Sequence, residues 1–287
     1  MRNRKSMRIL VTGAQGMLGR TLMRQLGAHE VTGVDVDDFD ITDAAATHAA
    51  VVAAKPAVVV HCAAMTAVDG CESAADLAYQ VNALGSANVA SATARAGARL
   101  IAISTDYVFR GDLDRPYHEW DCPDPVTVYG ASKLAGEDAV RDHCPNHLIV
   151  RIAWLYGPGG PSFVHTMLRL GAEDGAPLKV VDDQRGNPTS TIAVAEHLAQ
   201  LIELPLAGML HLTCEGDTTW YGLTQEIFRL AGLSRDLLPC TTAEFPRPAP
   251  RPANSRLENR ALRLHRLPPM PHWREALAVF LQEYPRG

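Results

Sequence analysis

The chain has 287 residues, 47% of them hydrophobic and 21% charged, and a formal net charge of −5 at pH 7. This composition is typical of a globular protein with one large unit or two unequal ones. The negative net charge provides no basic field for a polyanion, so we expect no nucleic acid partner. No stretch approaches 18 uninterrupted apolar residues, so we expect no membrane span.

The six cysteines are scattered and form no C-x-x-C pair, which indicates neither a disulfide framework nor a zinc site. The chain begins with a basic segment similar to the first part of a signal peptide. However, Thr12-Gly13 interrupts the apolar run that follows it. We therefore expect reduced thiols and a cytoplasmic location.

The first half alternates short β-branched runs with longer amphipathic stretches, which is typical of βαβ units and a parallel sheet. The predicted strands span residues 8–12, 30–35, 57–62, 99–104 and 147–153. The predicted helices between them span residues 16–27, 43–54, 72–96 and 128–142. The pattern predicts an α/β fold, with a Rossmann-type doubly wound parallel sheet in residues 7–154 that binds a dinucleotide and carries the catalytic residues.

After Trp154 the predicted elements are more widely spaced. They are a helix at 162–173, a strand at 178–182, a helix at 190–203, a strand at 208–213, a helix at 220–231 and a final helix from Trp273 to Tyr284. Prolines accumulate between residues 239 and 271, which excludes long regular elements there. We predict that residues 155–287 form mainly a smaller α/β substrate lobe, with some segments returning to the Rossmann core.

A glycine-rich turn lies where the first predicted strand leads into a helix. Glycines at such a turn let the backbone approach a pyrophosphate, and the helix N-terminus presents free N–H groups. Asp35 ends the second strand, where a carboxylate can accept hydrogen bonds from an adenosine ribose. The predicted NADPH or NADH site comprises Gly13, Gln15, Gly16, Met17, Leu18, Gly19, Asp35, Asp40, Ile41, Ala63, Ala64, Thr66, Tyr129 and Lys133.

Asp35 also bears on the choice between the two cofactors. With Asp37 and Asp38 beside it, its carboxylate would repel a 2′-phosphate at close range, which favours NADH. A side-chain rotation that brings a nearby arginine to the phosphate would admit NADPH. Both cofactors therefore stay open at this point.

Tyr129 and Lys133 are four residues apart at the start of a predicted helix, so they share one helix face. A fixed ammonium favours the phenolate, and we expect it to lower the pKa of Tyr129 for general acid catalysis. A surface helical pair is the alternative explanation of the spacing alone. The fourth strand ends at Thr105 and Asp106, beside the expected nicotinamide. Thr105 could donate to a substrate carbonyl, and Asp106 could accept from a sugar hydroxyl or be an ordinary turn carboxylate.

Together these motifs resemble the extended short-chain dehydrogenase/reductase superfamily, and more narrowly the dTDP-4-dehydrorhamnose reductase family. The resemblance runs almost end to end, and it includes Ala63-Ala64-Met-Thr66-Ala-Val-Asp69, Ser104-Thr-Asp-Tyr-Val-Phe109, Arg151-Ile-Ala-Trp154, Asp183-Gln-Arg-Gly-Asn-Pro-Thr189 and Pro248-Ala-Pro-Arg-Pro-Ala-Asn-Ser-Arg256. It implies Tyr129 as the catalytic acid, Lys133 holding the nicotinamide ribose and Thr105 orienting the ketone. It also implies that Thr105, Asp106 and Trp154 contact the sugar.

The reaction implied by the resemblance is reduction of the 4-keto group of a dTDP-6-deoxy-L-hexulose by the nicotinamide. Trp154 could stack on a pyranose ring or fill the junction between the two lobes. Arg247, Arg251 and Arg256 lie in the proline-rich segment, where an arginine could meet a diphosphate. The first two are equally well explained as solvated loop residues, whereas Arg256 is predicted to bind the substrate.

Two positions depart from the pattern of the family. Arg20-Thr21 stands where some members carry the first carboxylate of a magnesium site between subunits, so we predict no metal site and leave monomer and homodimer open. His61 and Cys62 replace smaller or amide residues, a change expected to affect packing. Tyr107 stands where a dehydratase of the superfamily would carry a glutamate, which disfavours dehydration. An epimerase and a non-catalytic subunit, such as the regulatory subunit of methionine adenosyltransferase, remain alternatives.

Overall fold

The structure is a computed structural model that describes residues 6–284, so most of the signal-like basic start lies outside the described residues. Within this range the strands are β1 (Arg8–Thr12), β2 (Glu30–Val34), β3 (Val58–His61), β4 (Arg99–Thr105), β5 (His147–Ile152), β6 (Leu155–Tyr156), β7 (Leu178–Val181), β8 (Arg185–Gly186), β9 (Thr189–Ser190), β10 (Gly208–His211), β11 (Thr218–Thr219), β12 (Leu237–Cys240) and β13 (Asn254–Ser255). The helices are α1 (Met17–Gln25), α2 (Ala44–Ala54), α3 (Val68–Ser73), α4 (Ala75–Tyr79), α5 (Ser86–Arg95), α6 (Val128–His143), α7 (Phe163–Ala172), α8 (Thr191–Leu201), α9 (Trp220–Ala231), α10 (Arg260–Leu264) and α11 (Trp273–Glu283).

Six strands form one parallel sheet in the order β10-β5-β4-β3-β1-β2. The strand order reverses between β1 and β3, which creates a crevice at the carboxyl ends of these two strands. Alternate residues of the strands enter different cores: Leu10 and Val59 pack with α2, α5 and α6, whereas Ile9 and Val58 pack with α1, α8 and α11. Helices therefore cover both faces, and the predicted doubly wound α/β fold is confirmed.

The predicted strands of the first half agree with β1–β5 to within one residue at each end. The prediction of one helix over residues 72–96 is wrong, because the chain forms α3, α4, a π-helical turn at Gln80–Gly85 and α5. Ala74 breaks the first part with φ −135° and ψ 53°. In the π-helical turn, the Asn82 amide is held by the backbone of Met65, at 2.8 and 3.1 Å. This contact with the loop after β3 is tertiary and leaves no periodic signal in the sequence.

In the second half, β10 pairs with β5 and so extends the large sheet. The remaining strands form small sheets in the orders β11-β8-β13, β12-β7 and β6-β9. The predicted helices and strands of this half correspond to α7, β7, α8, β10, α9 and α11. The short α10 and β13 lie in the proline-rich part, where no long element was expected. No helix among residues 6–284 combines the length and apolarity needed to cross a bilayer.

Candidate active site

The glycine-rich turn joins β1 to α1 at the crevice of the sheet. Gly13 has φ +70°, and a Cβ there would lie 2.6 Å from the Ala63 nitrogen. A Cβ on Gly19 would lie 2.1 Å from the Gly13 oxygen, so α1 packs closely on the turn. Gly16 caps α1 without a side-chain hydrogen bond, and no acidic residue occupies the first turn, which contains Met17 and Leu18. This helix N-terminus fits a dinucleotide pyrophosphate.

Asp35 follows β2 at the same edge of the sheet. Its Oδ2 accepts a hydrogen bond from the Gln15 backbone nitrogen at 2.7 Å, and its Oδ1 accepts from the Val36 nitrogen at 2.8 Å. These two bonds fix the carboxylate beside the glycine-rich turn. The Gln15 side chain lies 3.4 Å from Asp37 Oδ2, and the Arg20 guanidinium donates to the Gln15 oxygen at 2.6 Å. The structure thus places Asp35 beside the glycine-rich turn, and its contact with an adenosine ribose stays a prediction.

The other predicted cofactor residues surround the crevice but differ in exposure. Ile41 is buried under Gly85, and Asp40 accepts from the Thr42 nitrogen in the loop before α2. Ala63 and Ala64 follow β3 and are half-buried, whereas Thr66 is exposed. The structure brings Ala63 of this loop next to Gly13 of the glycine-rich turn. Contact of the loop with the cofactor stays a prediction.

Thr105 and Tyr129 meet at the carboxyl end of β4. Thr127 caps α6 by accepting from the Gly130 nitrogen at 2.9 Å, and a Cβ on Gly130 would lie 2.1 Å from the Tyr107 oxygen. This close packing of α6 on the turn at Asp106–Val108 buries Tyr129 and lets its phenol form a hydrogen bond with the Thr105 side chain. The Tyr107 ring packs edge-on against Tyr129, at 5.5 Å between ring centroids.

Burial raises the pKa of Tyr129 above its usual value, although the hydrogen bond with Thr105 opposes the rise. We predicted the opposite direction from the spacing of Tyr129 and Lys133, and that prediction is wrong, because burial has the largest effect on this phenol. The Nζ of Lys133 donates to the Ile103 oxygen at 2.9 Å. Burial lowers the pKa of Lys133 to about 8. At neutral pH the pair is therefore a protonated phenol and an ammonium.

Asp106 is buried next to Thr105, whose hydroxyl donates to its Oδ1 at 3.0 Å. Burial raises its pKa to about 6, against the hydrogen bonds from Ser255 and Thr105. Its Oδ2 is also buried, and no partner for it is present among the described residues. This unsatisfied oxygen would suit a ligand hydroxyl, and contact with a sugar stays a prediction for Asp106.

Trp154 lies at the junction between the large sheet and the second half of the chain. Its ring stacks on Trp220 at 3.5 Å between centroids, and a Cβ on Gly186 would lie 2.3 Å from its Cε2. The residue adopts φ +46°, a left-handed conformation rare for large side chains. These contacts favour the interpretation that Trp154 fills the junction. Contact with a sugar stays a prediction for the part of the ring left exposed.

Arg256 lines an open cavity of about 380 Å³ beside Ser255. Its Nε donates to Asn254 Oδ1 at 2.8 Å, and its Nη2 donates to the Asp114 oxygen at 2.6 Å. The cavity also contains Arg185, which pairs with Asp217. Asp112 and Asp114 line the same cavity as these two guanidinium groups. Binding of the anionic part of a substrate by Arg256 therefore stays a prediction.

The sequence did not single out two charged pairs near the site. Asp69, at the start of α3, binds Arg251 of the proline-rich segment, and Glu137, one turn after Lys133, binds Arg151 inside the core. Only the position of Glu137 four residues after Lys133 was a usable signal. Among residues 6–284 no cluster of three or more His, Cys, Asp or Glu side chains could hold a metal ion.

The parallel sheet, the open helix N-terminus and the group Thr105, Tyr129 and Lys133 define a nicotinamide-dependent reductase of the short-chain dehydrogenase/reductase type. The family model described as the RmlD substrate binding domain matches residues 7–286, and the chain belongs to this family. A dTDP-4-dehydrorhamnose reductase of Streptomyces griseus is 47% identical over 279 residues, which cover 94% of this chain and 91% of the relative.

Two solved structures show the same likeness in three dimensions. A dTDP-4-dehydrorhamnose reductase from Clostridium acetobutylicum superposes with a TM-score of 0.94 at 45% identity, covering 96% of this chain and 99% of its own. The enzyme of the same name from Bacillus anthracis, in complex with NADP, gives a TM-score of 0.95 at 40% identity, covering 97% and 100%. These structures extend the likeness over both halves of the chain.

Proposed function

We propose that this protein reduces the 4-keto group of a dTDP-4-keto-6-deoxy-L-hexose, converting dTDP-4-dehydro-L-rhamnose to dTDP-L-rhamnose or forming a related L-deoxysugar. The observation that carries the proposal is the hydrogen-bonded pair of hydroxyls of Thr105 and Tyr129 at the carboxyl end of β4, the same edge of the sheet that carries the glycine-rich turn. The names of the Streptomyces relative and of the NADP-bound Bacillus structure support this substrate class and cofactor.

The bound nicotinamide would supply the hydride, and NADPH and NADH both suit the turn. The Thr105 hydroxyl, which donates to Asp106 Oδ1 in the structure, would turn its hydrogen to the ketone oxygen and fix the position of that oxygen. Tyr129 would deliver the proton to that oxygen as the carbonyl carbon receives the hydride, so the products are an alcohol and the oxidised cofactor. Burial keeps the phenol protonated at neutral pH, which suits a general acid.

The other predicted residues would bind the two ligands. The turn from Gly13 to Gly19 would hold the pyrophosphate, Asp35 the adenosine ribose and Lys133 the nicotinamide ribose. Asp106 would accept a sugar hydroxyl, and Arg256 would meet the nucleotide diphosphate from its cavity. This division assigns cofactor and catalysis to residues 7–154, and mainly substrate binding to residues 155–287. We further propose a cytoplasmic monomer or homodimer with no nucleic acid partner.

The test is to follow nicotinamide fluorescence with NADH or NADPH and the 4-keto-6-deoxy-L-hexulose nucleotide made in situ. Oxidation should require the substrate and fall about 10²- to 10⁴-fold in Tyr129→Phe. Tyr79→Phe changes an exposed tyrosine and serves as the matched control. An epimerised product without net cofactor oxidation would identify an epimerase instead. No reaction despite cofactor binding would overturn the proposal and favour a non-catalytic role.

A further inference from the structure

Glu137 lies on α6 one turn after Lys133 and is buried in the core. Its Oε1 accepts from the Ser104 hydroxyl at 2.6 Å and from Arg151 Nε at 2.8 Å. Its Oε2 accepts from Arg151 Nη2 at 2.7 Å and from Arg141 at 2.8 Å. Four hydrogen bonds from β4, β5 and α6 thus hold the Glu137 carboxylate rigidly, on the same helix that carries Tyr129.

A cavity of about 10 Å³, room for about one water molecule, is lined by both Glu137 and Lys133. Its lining includes Lys133, Glu137, Ser104 and Ser86. His61 closes the side toward β3, and its ring bonds Thr12 and Ser86. Lys133 and Glu137 thus share one small cavity, which the apolar side chains of Ala102, Ile103, Val140 and Ile149 complete.

The groups around this space determine the charge on Lys133. Burial lowers its pKa, and Glu137 on α6 and Cys62 after β3 oppose the lowering. His61 stays neutral because burial and Lys133 lower its pKa to about 3. Ser86 of α5 and Ser104 of β4 carry no charge, and Arg151 of β5 and Arg141 are bound to Glu137. Glu137 is therefore the carboxylate that lines this cavity together with Lys133 and opposes the lowering of its pKa.

We propose that Glu137 is a positioning residue of the reductase: its fixed carboxylate is the counter-charge that keeps Lys133 an ammonium at the nicotinamide ribose. The proposal rests on the role proposed for Lys133 above. The carboxylate touches neither the substrate nor the cofactor, and it acts only through the cavity and the helix turn that separate it from Lys133.

The chain contains only four lysines, Lys5, Lys55, Lys133 and Lys179, so a lysine-selective titration is practical. Protein labelled with ¹³C at lysine Cε is titrated by NMR without cofactor, and the signal of Lys133 is assigned with Lys133→Met. In Glu137→Gln we expect the midpoint of Lys133 to fall by about one pH unit. Asp138→Asn removes a neighbouring exposed carboxylate, which also binds Arg141, and should leave the midpoint unchanged.

The double variant Glu137→Gln/Arg151→Met covers the case in which Glu137→Gln alone does not fold, because it removes the carboxylate without stranding the guanidinium. It should shift the Lys133 midpoint in the same direction by a smaller amount, because the loss of the Arg151 cation opposes the loss of the carboxylate. An unchanged midpoint in either folded variant would overturn the proposal. NADH affinity at pH 8 should fall about fivefold with the loss of ammonium. If the midpoint shifts but the NADH affinity is unchanged, Glu137 is the counter-charge of Lys133, but Lys133 does not bind the nicotinamide ribose.

Discussion

Arg251 and Asp69 form an ion pair between the proline-rich segment and the start of α3, with 2.9 Å between Nη2 and Oδ1. The same Oδ1 accepts the backbone N–H of Ala249 at 3.1 Å. Although burial opposes them, these contacts hold the pKa of Asp69 below its usual value. Both charges also act on Tyr107, which packs on Tyr129. The pair therefore fastens the segment that carries Ser255 and Arg256 beside the candidate catalytic residues.

Asp69→Asn should weaken this attachment and raise the KM for the sugar nucleotide several-fold with little change in kcat. The loss of unfolding free energy should be only about 1 kcal/mol, because the pair is partly exposed. Steady-state kinetics and urea denaturation measure the two effects. Asp124→Asn breaks the comparable pair with Arg110, which lies on the surface, and is the control. A KM equal to that of this control would contradict a role for the pair in substrate binding.

Asp106→Asn should stabilise the protein and impair the enzyme. The folded pKa of about 6 lies above the ordinary 3.8, so the folded state binds more protons between these values and loses stability as pH rises. By pH 7 the buried carboxylate costs about 3 kcal/mol, the upper limit of the gain in the variant. The gain should vanish near pH 4. Activity should fall about 10- to 100-fold with the loss of a charged acceptor.

The measurement is urea denaturation of the wild type and of Asp106→Asn at pH 4, 5.5 and 7. Asp174→Asn, at an exposed aspartate, provides the baseline for changing a carboxyl to an amide. A stability difference that stays constant across the three pH values would show that the carboxyl of Asp106 titrates normally. Unimpaired reduction by the variant would remove Asp106 from the sugar site.

The sequence was sufficient where one local pattern determines the structure. The strand β1, the turn at Gly13 and the start of α1 follow from a buried run, a left-handed glycine and a helix start within a dozen residues. The sequence was insufficient to predict contacts between residues that lie far apart in the chain. The π-helical turn depends on Asn82 binding the Met65 loop, and the pairs at Asp69 and Glu137 depend on packing between elements. The direction in which the pKa of Tyr129 shifts likewise depends on burial, which the spacing of Tyr129 and Lys133 alone does not reveal.

His61 should make the protein sensitive to acid. Burial lowers its pKa to about 3, so between pH 6.5 and 3 the unfolded chain binds a proton that the folded protein does not. This contribution to stability is complete above pH 6.5 and falls by about 1.4 kcal/mol per pH unit as pH decreases. In a plot of unfolding free energy against pH, His61→Gln should reduce the slope on the acid side by this amount. Denaturation curves from pH 7.5 to 4.5 test this, with the exposed His143→Gln as control. An unchanged slope would mean that His61 titrates normally in the folded state.

Asp35 should determine the cofactor preference in favour of NADH. Its carboxylate is fixed beside the glycine-rich turn by the Gln15 and Val36 nitrogens, so it cannot easily rotate away from a 2′-phosphate. Like charges about 4 Å apart near a protein surface repel by up to about 4 kcal/mol. Asp35→Ser should therefore raise the ratio of kcat/KM for NADPH over NADH at least about tenfold, equivalent to about 1.4 kcal/mol. Asp43→Ser changes the aspartate that caps α2 and should leave the ratio unchanged. A wild type that already prefers NADPH would contradict this prediction.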